Sequence, residues 1–359
     1  MGLPVAELRQ FLRVCAQPLR PSMRVNCIKA PDDIITKLQL SGWRVSRVPW
    51  CRDGYFVDSP LRESIGKTLP HLTGQIYSQE ATSMLPVEAA RAAIDQGHLE
   101  LDSGEELQVL DLCAAPGSKT TQIGTWLKGR GLIVANEPNL ARSQVLRTNM
   151  IRAGVTNFVV TRLDGRTVGV MAPEAFHIVF VDVPCSSEGN IRKDCNAWNW
   201  WGKMSHQKEL KKLTAVQWQL IQSGWAAVRP GGLLFFSTCT MNRYENEDHC
   251  HRLLNSGTGT RALDLPFLLQ LPAAASETGF LRIWPQTYNT EGFFVAGFRK
   301  EQEADVEEKL CRGGTGVSLA RVLNSSGTSH SFEELDVDRI TALSREASDR
   351  HGFWPSDSQ

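Results

Sequence analysis

Two cysteines stand where sulfur can attack carbon. One lies in Val181-Asp182-Val183-Pro184-Cys185-Ser186-Ser187-Glu188-Gly189, the other in Ser237-Thr238-Cys239-Thr240. Each follows an apolar run, residues 176–181 and 233–236, of the kind that forms a buried parallel strand. In open α/β sheets, ligands bind outside the carboxyl ends of the strands, so the two thiols are expected to face one cleft. A thiolate there is a candidate nucleophile. For either cysteine taken alone the alternative is a buried structural thiol.

The segments around them alternate between strand and helix, which predicts a parallel sheet in an α/β domain. Strands are expected at 108–112, 132–136, 158–161, 176–181 and 232–236, and helices at 118–127, 140–153 and about 206–228. The turn after the first strand reads Asp111-Leu112-Cys113-Ala114-Ala115-Pro116-Gly117-Ser118-Lys119-Thr120. It carries neither the dinucleotide fingerprint nor a P-loop, but its small residues let a ligand approach the backbone at a helix N-terminus. Glu137 follows the second strand, at a spacing suited to the two hydroxyls of a ribose. Asp164 follows the third and suits an adenine amine; Asp182 ends the fourth. Acidic groups at four successive strand ends suit a nucleoside carrying positive charge, such as S-adenosyl-L-methionine, although any one alone reads equally as a cap or turn residue.

Three motifs, Asp-Leu-Cys-Ala-Ala-Pro-Gly-Ser-Lys-Thr (111–120), Asp-Val-Pro-Cys (182–185) and Ser-Thr-Cys-Thr (237–240), together with Glu245-Asn246-Glu247, resemble the Nol/Nop/Sun family of RNA cytosine-5 methyltransferases. Further stretches (Arg24-Val25-Asn26, Trp50-Cys51, residues 79–86, Arg192-Lys193-Asp194 and residues 291–296) resemble its bacterial members that act on 16S ribosomal RNA of the small subunit. The resemblance runs from about residue 8 to residue 300. It implies a Rossmann-like S-adenosylmethionine-dependent methyltransferase sheet with a small N-terminal α/β RNA-binding domain. It also implies that Cys239 adds to carbon 6 of the cytosine, turning carbon 5 into a nucleophile. Cys185 would then assist deprotonation at carbon 5 or enzyme release, and Asp182 would hydrogen-bond the ring nitrogen and amine. Lys119 would lie near the reacting base. Cofactor contacts are implied for Cys113, Ala114, Ala115, Pro116, Gly117, Ser118, Lys119, Glu137, Asp164 and Asp182. Two positions depart from the family pattern: Ser187 stands where glycine is usual, and Tyr244 where an acidic residue is usual. A serine would be strained if position 187 needs a positive φ.

The expected organisation is an N-terminal RNA-binding module at 1–68, a catalytic domain at 69–300, and a linker and tail at 301–359 that opens a further RNA-binding module. In the first, a helix at 5–14 precedes an alternating stretch at 22–29. There Met23, Val25, Cys27 and Ile28 are expected largely inward, and Arg24, Asn26 and Lys29 are left for solvent or a ligand. Arg13, Arg20 and Arg24 read either as an RNA entry or as a solvated face. The stretch 190–212 interleaves Arg192, Lys193, Lys203, Lys208, Lys211 and Lys212 with Trp198, Trp200 and Trp201. That pattern suits phosphate gripping and base stacking, or else tryptophans covering a sheet edge. In the tail, residues 313–331 read as a linker and 331–350 as one helix.

The chain has 359 residues, 42% of them hydrophobic and 22% charged, and a formal net charge of zero, so any basic surface must be local. Nine cysteines without Cys-x-x-Cys spacing give no zinc or disulfide framework. His249-Cys250-His251 lacks ligand spacing, and no metal is expected. No signal-peptide or bilayer-spanning run is evident; the cysteines fit the cytosol, where thiols stay reduced, so a cytoplasmic monomer is expected, with RNA as the partner that the resemblance implies. The rival readings are a transfer RNA methyltransferase and a non-catalytic RNA-binding ribosome-assembly factor.

Overall fold

The computed structural model describes residues 4–58, 64–194, 204–257 and 259–302. Two sheets organise them. The N-terminal sheet has the order β2-β3-β1-β4, from β1 (Ser22–Val25), β2 (Val45–Arg47), β3 (Gly54–Val57) and β4 (Ile76–Ser78). Its fourth strand lies past residue 68, so the module continues beyond the boundary drawn from the sequence. Strand β3 had no separate signal, because Trp50, Cys51 and the turn before it run into it without an alternating pattern.

The larger, eight-stranded sheet uses β5 (Gln108–Asp111), β6 (Leu132–Asn136), β7 (Phe158–Thr161), β8 (Phe176–Asp182), β9 (Val228–Thr238), β10 (Thr260–Ala262), β11 (Leu281–Ile283) and β12 (Phe293–Lys300). Its order is β10-β12-β9-β8-β5-β6-β7, with β11 also paired to β12. The strands β7-β6-β5-β8-β9 are parallel, while β12 runs antiparallel to β9 and β10 antiparallel to β12 at the edge of that side. The sheet is therefore mixed rather than wholly parallel. Strand β8 is buried along all but its last residue, and Phe180 stacks on Phe235 of β9.

Local chemistry sets the helix ends near the site. Asn139 caps the Leu140–Ala153 helix by accepting from the Arg142 N–H, and Gly154 ends it at φ 75°. Gly117, at φ 104°, starts the Ser118–Leu127 helix. No helix among the described residues is long and apolar enough to cross a membrane.

The alternating stretch behaves differently from its sequence reading. Arg24 and Asn26 are each 2% exposed, whereas Cys27 and Ile28 are exposed. The guanidinium of Arg24 donates to Gln79 Oε1 (3.0 Å), Thr125 Oγ1 (3.0 Å) and Thr121 Oγ1 (2.9 Å). The Asn26 amide donates to the Gly74 and Ala153 carbonyls. The polar face of β1 thus docks the N-terminal sheet onto the Ser118–Leu127 helix instead of facing solvent. Arg20 is also used internally, in an ion pair with Asp58, while Arg13 is exposed.

Candidate active site

In the large sheet the chain runs outward from β5 to β7 and then returns to β8, so β5 and β8 flank the switch point where α/β sheets bind ligands. A cleft of ≈ 750 Å³ opens there. Glu137, Asp164 and Asp182 line it together with Cys113, Ala115, Cys185 and Cys239. Asp111, the fourth acidic strand end, does not. It is 1% exposed and accepts from the Thr120 hydroxyl at 2.7 Å, so it anchors the turn. Burial raises its carboxyl to about 6, against that hydrogen bond and Lys119. Ala114, Pro116, Gly117 and Ser118 shape the same turn, whose Ala115 and Pro116 carbonyls are held by Arg142 and Asn149. Glu137 is 3% exposed and accepts from the Asn139 N–H at 3.0 Å. Asp164 is forked onto Arg166.

Cys185 and Cys239 meet across the ends of β8 and β9, with 3.2 Å between their sulfurs. The hydrogen bond from Cys185 lowers the Cys239 thiol, with the Ser187 hydroxyl and Lys119 ammonium helping against burial and Asp182. The same bond, with burial, pushes Cys185 well above the usual thiol range. The pair is therefore unequal: Cys239 is the better nucleophile and Cys185 keeps its proton. Burial and the neighbouring carboxylates raise Cys113 as well, so it is no competing thiolate.

Asp182 accepts from Lys119 Nζ at 2.7 Å and from the Ser237 hydroxyl at 2.6 Å. Lys119, 6% exposed, also reaches the Ser83 hydroxyl and lies 5.4 Å above the Phe293 ring. Ser83 and Phe293 were not singled out from sequence, since neither residue type signals chemistry at its spacing.

The loops carrying the cysteines are held by side chains of the Glu-Asn-Glu motif. Glu245, 0% exposed, accepts from the Ser186 N–H (2.9 Å), the Gln217 amide (2.8 Å), the Ser186 hydroxyl and Asn242. Asn246 bonds the Thr238 hydroxyl and the Thr240 carbonyl, one on each side of Cys239. Glu247 pairs with Arg282. Gly189 donates to the Cys239 carbonyl at 2.9 Å, and a Cβ there would lie 2.1 Å from the Gly292 oxygen. Only glycine permits that approach.

Ser187 adopts φ 58°, ψ 26°, the left-handed conformation that its usual glycine would take without strain. Its hydroxyl stands 3.5 Å from Cys239 Sγ. Arg192 does not reach outward; it donates to the Gln17, Pro18 and Thr290 carbonyls and ties three segments together. Lys193, Lys208, Lys211 and Lys212 are exposed. Trp198, Trp200, Trp201, Lys203 and the tail segments from 303 onward lie outside the described residues. His249 is buried on Gln217 and against Trp218, and Cys250 is 1% exposed in the core. No metal-ligand cluster occurs among the described residues.

Residues 98–299 match the family model of 16S rRNA methyltransferase RsmB/F, and residues 2–81 that of the N-terminal domain of 16S rRNA methyltransferase RsmF. The chain belongs to the RsmB/F family. Among its relatives, the ribosomal RNA small subunit methyltransferase F of Escherichia coli is 42% identical over 301 residues, covering 81% of this chain and 59% of the relative. That of Shewanella loihica is 39% identical over 297 residues, covering 82% and 59%. This RsmB/F chain thus spans about three fifths of the length of these relatives. A methyltransferase homologue from Pyrococcus horikoshii superposes with a TM-score of 0.65 at 29% identity, over 81% of this chain and 90% of the other. NSun6 from the same organism shares the fold alone, with a TM-score of 0.68 at 18% identity over 83% and 95%.

Proposed function

We propose that this chain transfers a methyl group from S-adenosyl-L-methionine to carbon 5 of a cytosine in RNA, through a covalent bond between Cys239 and carbon 6. The 3.2 Å approach of the two sulfurs inside one cleft carries this reading, with the Cys239 thiol lowered and the Cys185 thiol raised. Membership of the RsmB/F family and the relatives' names favour 16S ribosomal RNA of the small subunit as the substrate.

The lining of the cleft suits the cofactor. Glu137 has the chemistry to accept from ribose hydroxyls and Asp164 from the adenine amine, while Pro138, Val216 and Leu220 offer apolar walls to the ring. Cys113 to Ser118 would shape the side of the cleft at the helix N-terminus. When bound, S-adenosyl-L-methionine supplies an electrophilic methyl group.

Cys239 attacks carbon 6 as a thiolate, and the electron pair displaced from the ring double bond makes carbon 5 nucleophilic. Asp182, ion-paired with Lys119, accepts hydrogen bonds only and therefore fits the exocyclic amine. Lys119 holds that carboxylate in place and brings positive charge beside the reacting base. After methyl transfer, water takes the carbon-5 proton, the freed electron pair reforms the ring double bond, and the carbon 6–sulfur bond breaks to return Cys239 as a thiolate. Cys185, whose sulfur lies 3.2 Å from that of Cys239, would assist that release by donating a hydrogen bond to the departing thiolate. The target base must first leave its stack, which single-stranded or looped RNA makes cheap.

The test is transfer of labelled methyl to small subunits, naked ribosomal RNA and transfer RNA, with the modified base mapped. Label at carbon 5 of a ribosomal cytosine is expected. Label confined to transfer RNA would overturn the substrate, and cofactor binding without transfer to any RNA would overturn the activity.

A further inference from the structure

Asn190 closes the short turn Glu188–Asn190, on the loop that follows Cys185, and its side-chain amide touches the nucleophile. Asn190 Nδ2 lies 3.6 Å from Cys239 Sγ, within hydrogen-bonding range for sulfur. Backbone bonds hold the turn in place. Asn190 N–H donates to the Ser187 carbonyl at 3.0 Å, and the Asn190 carbonyl accepts from the Lys193 and Asp194 N–H groups at 2.8 and 2.9 Å. One residue earlier, Gly189 N–H donates to the Cys239 carbonyl at 2.9 Å. The amide oxygen has no anchor of its own: Oδ1 is buried and without a hydrogen-bond partner among the described residues. Among those residues the sulfur is the one hydrogen-bond partner of this side chain.

An orphaned buried acceptor is unfavourable, so no second hydrogen bond accounts for the way this amide is turned. Reversed, it would present its oxygen, which accepts from a thiol. Presenting the nitrogen suits a thiolate, which accepts only. The Asn190 N–H joins the Ser187 hydroxyl, 3.5 Å from the same sulfur, and Cys185, whose sulfur is 3.2 Å away. The titratable groups that act on Cys239 are Cys185, Asp182, Lys119 and Glu291. Asn190 carries no charge and donates whatever their state.

We propose that the Asn190 side-chain amide is a further catalytic group, whose N–H hydrogen bond to the Cys239 sulfur stabilises the thiolate before it attacks carbon 6 and again when it leaves. This rests on the reading of the chain as an RNA cytosine-5 methyltransferase with Cys239 as its nucleophile. No proton passes to or from Asn190. In the covalent adduct the sulfur is a neutral thioether and the hydrogen bond weakens; as the carbon 6–sulfur bond breaks, charge returns to sulfur and the hydrogen bond strengthens with it. Stabilising a thiolate also blunts it, but by less than it enlarges its population. A pKa lower by about one unit gives about tenfold more thiolate and costs about threefold in reactivity.

The full chain and its Asn190→Ala and Asn190→Asp variants are alkylated with iodoacetamide across pH, and Cys239 is followed by mass spectrometry. Cofactor affinity is measured on each to report folding; Asn190→Asp, almost unchanged in shape, keeps the test decisive if Asn190→Ala does not fold. Asn190→Ala should raise the Cys239 midpoint by about one pH unit. Asn190→Asp replaces the donor with a carboxylate that repels the thiolate, and should raise the midpoint further. Methyl transfer from labelled S-adenosyl-L-methionine to a 16S ribosomal RNA transcript should fall about threefold at neutral pH in Asn190→Ala, with the loss shrinking as pH rises. Midpoints equal to wild type in both variants would show an amide that only fills space. A lower midpoint in Asn190→Ala would show that its oxygen faces a thiol. Either result overturns the role of Asn190 alone. A wild-type chain that binds cofactor but methylates no RNA would overturn the functional reading, while the alkylation midpoints would still decide the hydrogen bond.

Discussion

Cys185 Sγ lies 3.2 Å from Cys239 Sγ, at the ends of neighbouring parallel strands in which Asp182 pairs with Ser237. That register brings both thiols and the Asp182 carboxylate to one end of the sheet. The hydrogen bond between the sulfurs then lowers one thiol and raises the other. Division of labour follows from contact.

Alkylation of Cys239 by iodoacetamide, followed by mass spectrometry against pH, should therefore have its midpoint below that of an ordinary thiol. A thiol whose pKa is lowered reacts at lower pH, because the thiolate is the reactive form. Cys185→Ala removes the donor and should move the Cys239 midpoint upward. An unchanged or lower midpoint would show that Cys185 does not set it.

Ser187 combines a strained backbone with a hydroxyl beside the nucleophile. Ser187→Gly should raise unfolding free energy by about 0.5–1 kcal/mol in urea titration, since the left-handed conformation penalises a Cβ. Ser187→Ala keeps the strain and loses the hydroxyl, so it should leave stability near wild type. Both should raise the Cys239 alkylation midpoint. A stability gain in Ser187→Ala, or none in Ser187→Gly, would contradict this account.

Arg24 is buried between the two sheets' modules with its fork on three acceptors. Arg24→Ala should cost about 2–4 kcal/mol, through lost packing and orphaned Gln79, Thr121 and Thr125. Arg24→Lys should recover little of this, as an ammonium cannot span that geometry. Urea unfolding of both variants measures the difference. If Arg24 instead gripped RNA, Arg24→Ala would weaken RNA binding with stability unchanged.

Much of the site was legible because its residues sit at strand ends, where an apolar run stops and chemistry begins. Cys185, Cys239, Asp182, Glu137 and Asp164 were readable in that way, and all five line the cleft. Asp111 was misjudged by the same logic, because a strand-end carboxylate can equally turn inward and bond its own turn, here through Thr120. Arg24 was misplaced because alternation assigns a strand's faces but not what covers the polar one. The antiparallel strands β10, β11 and β12 left weak signals, since their pairing depends on distant partners.

The covalent role of Cys239 is the centre of this account, and denaturing electrophoresis of protein incubated with cofactor and 16S ribosomal RNA tests it most directly. Cys185→Ala, which bonds the base but releases it poorly, should accumulate a denaturation-resistant protein–RNA complex. Cys239→Ala should form no complex and transfer no methyl group. A complex that persists in Cys239→Ala and vanishes in Cys185→Ala would reverse the two roles and contradict the mechanism.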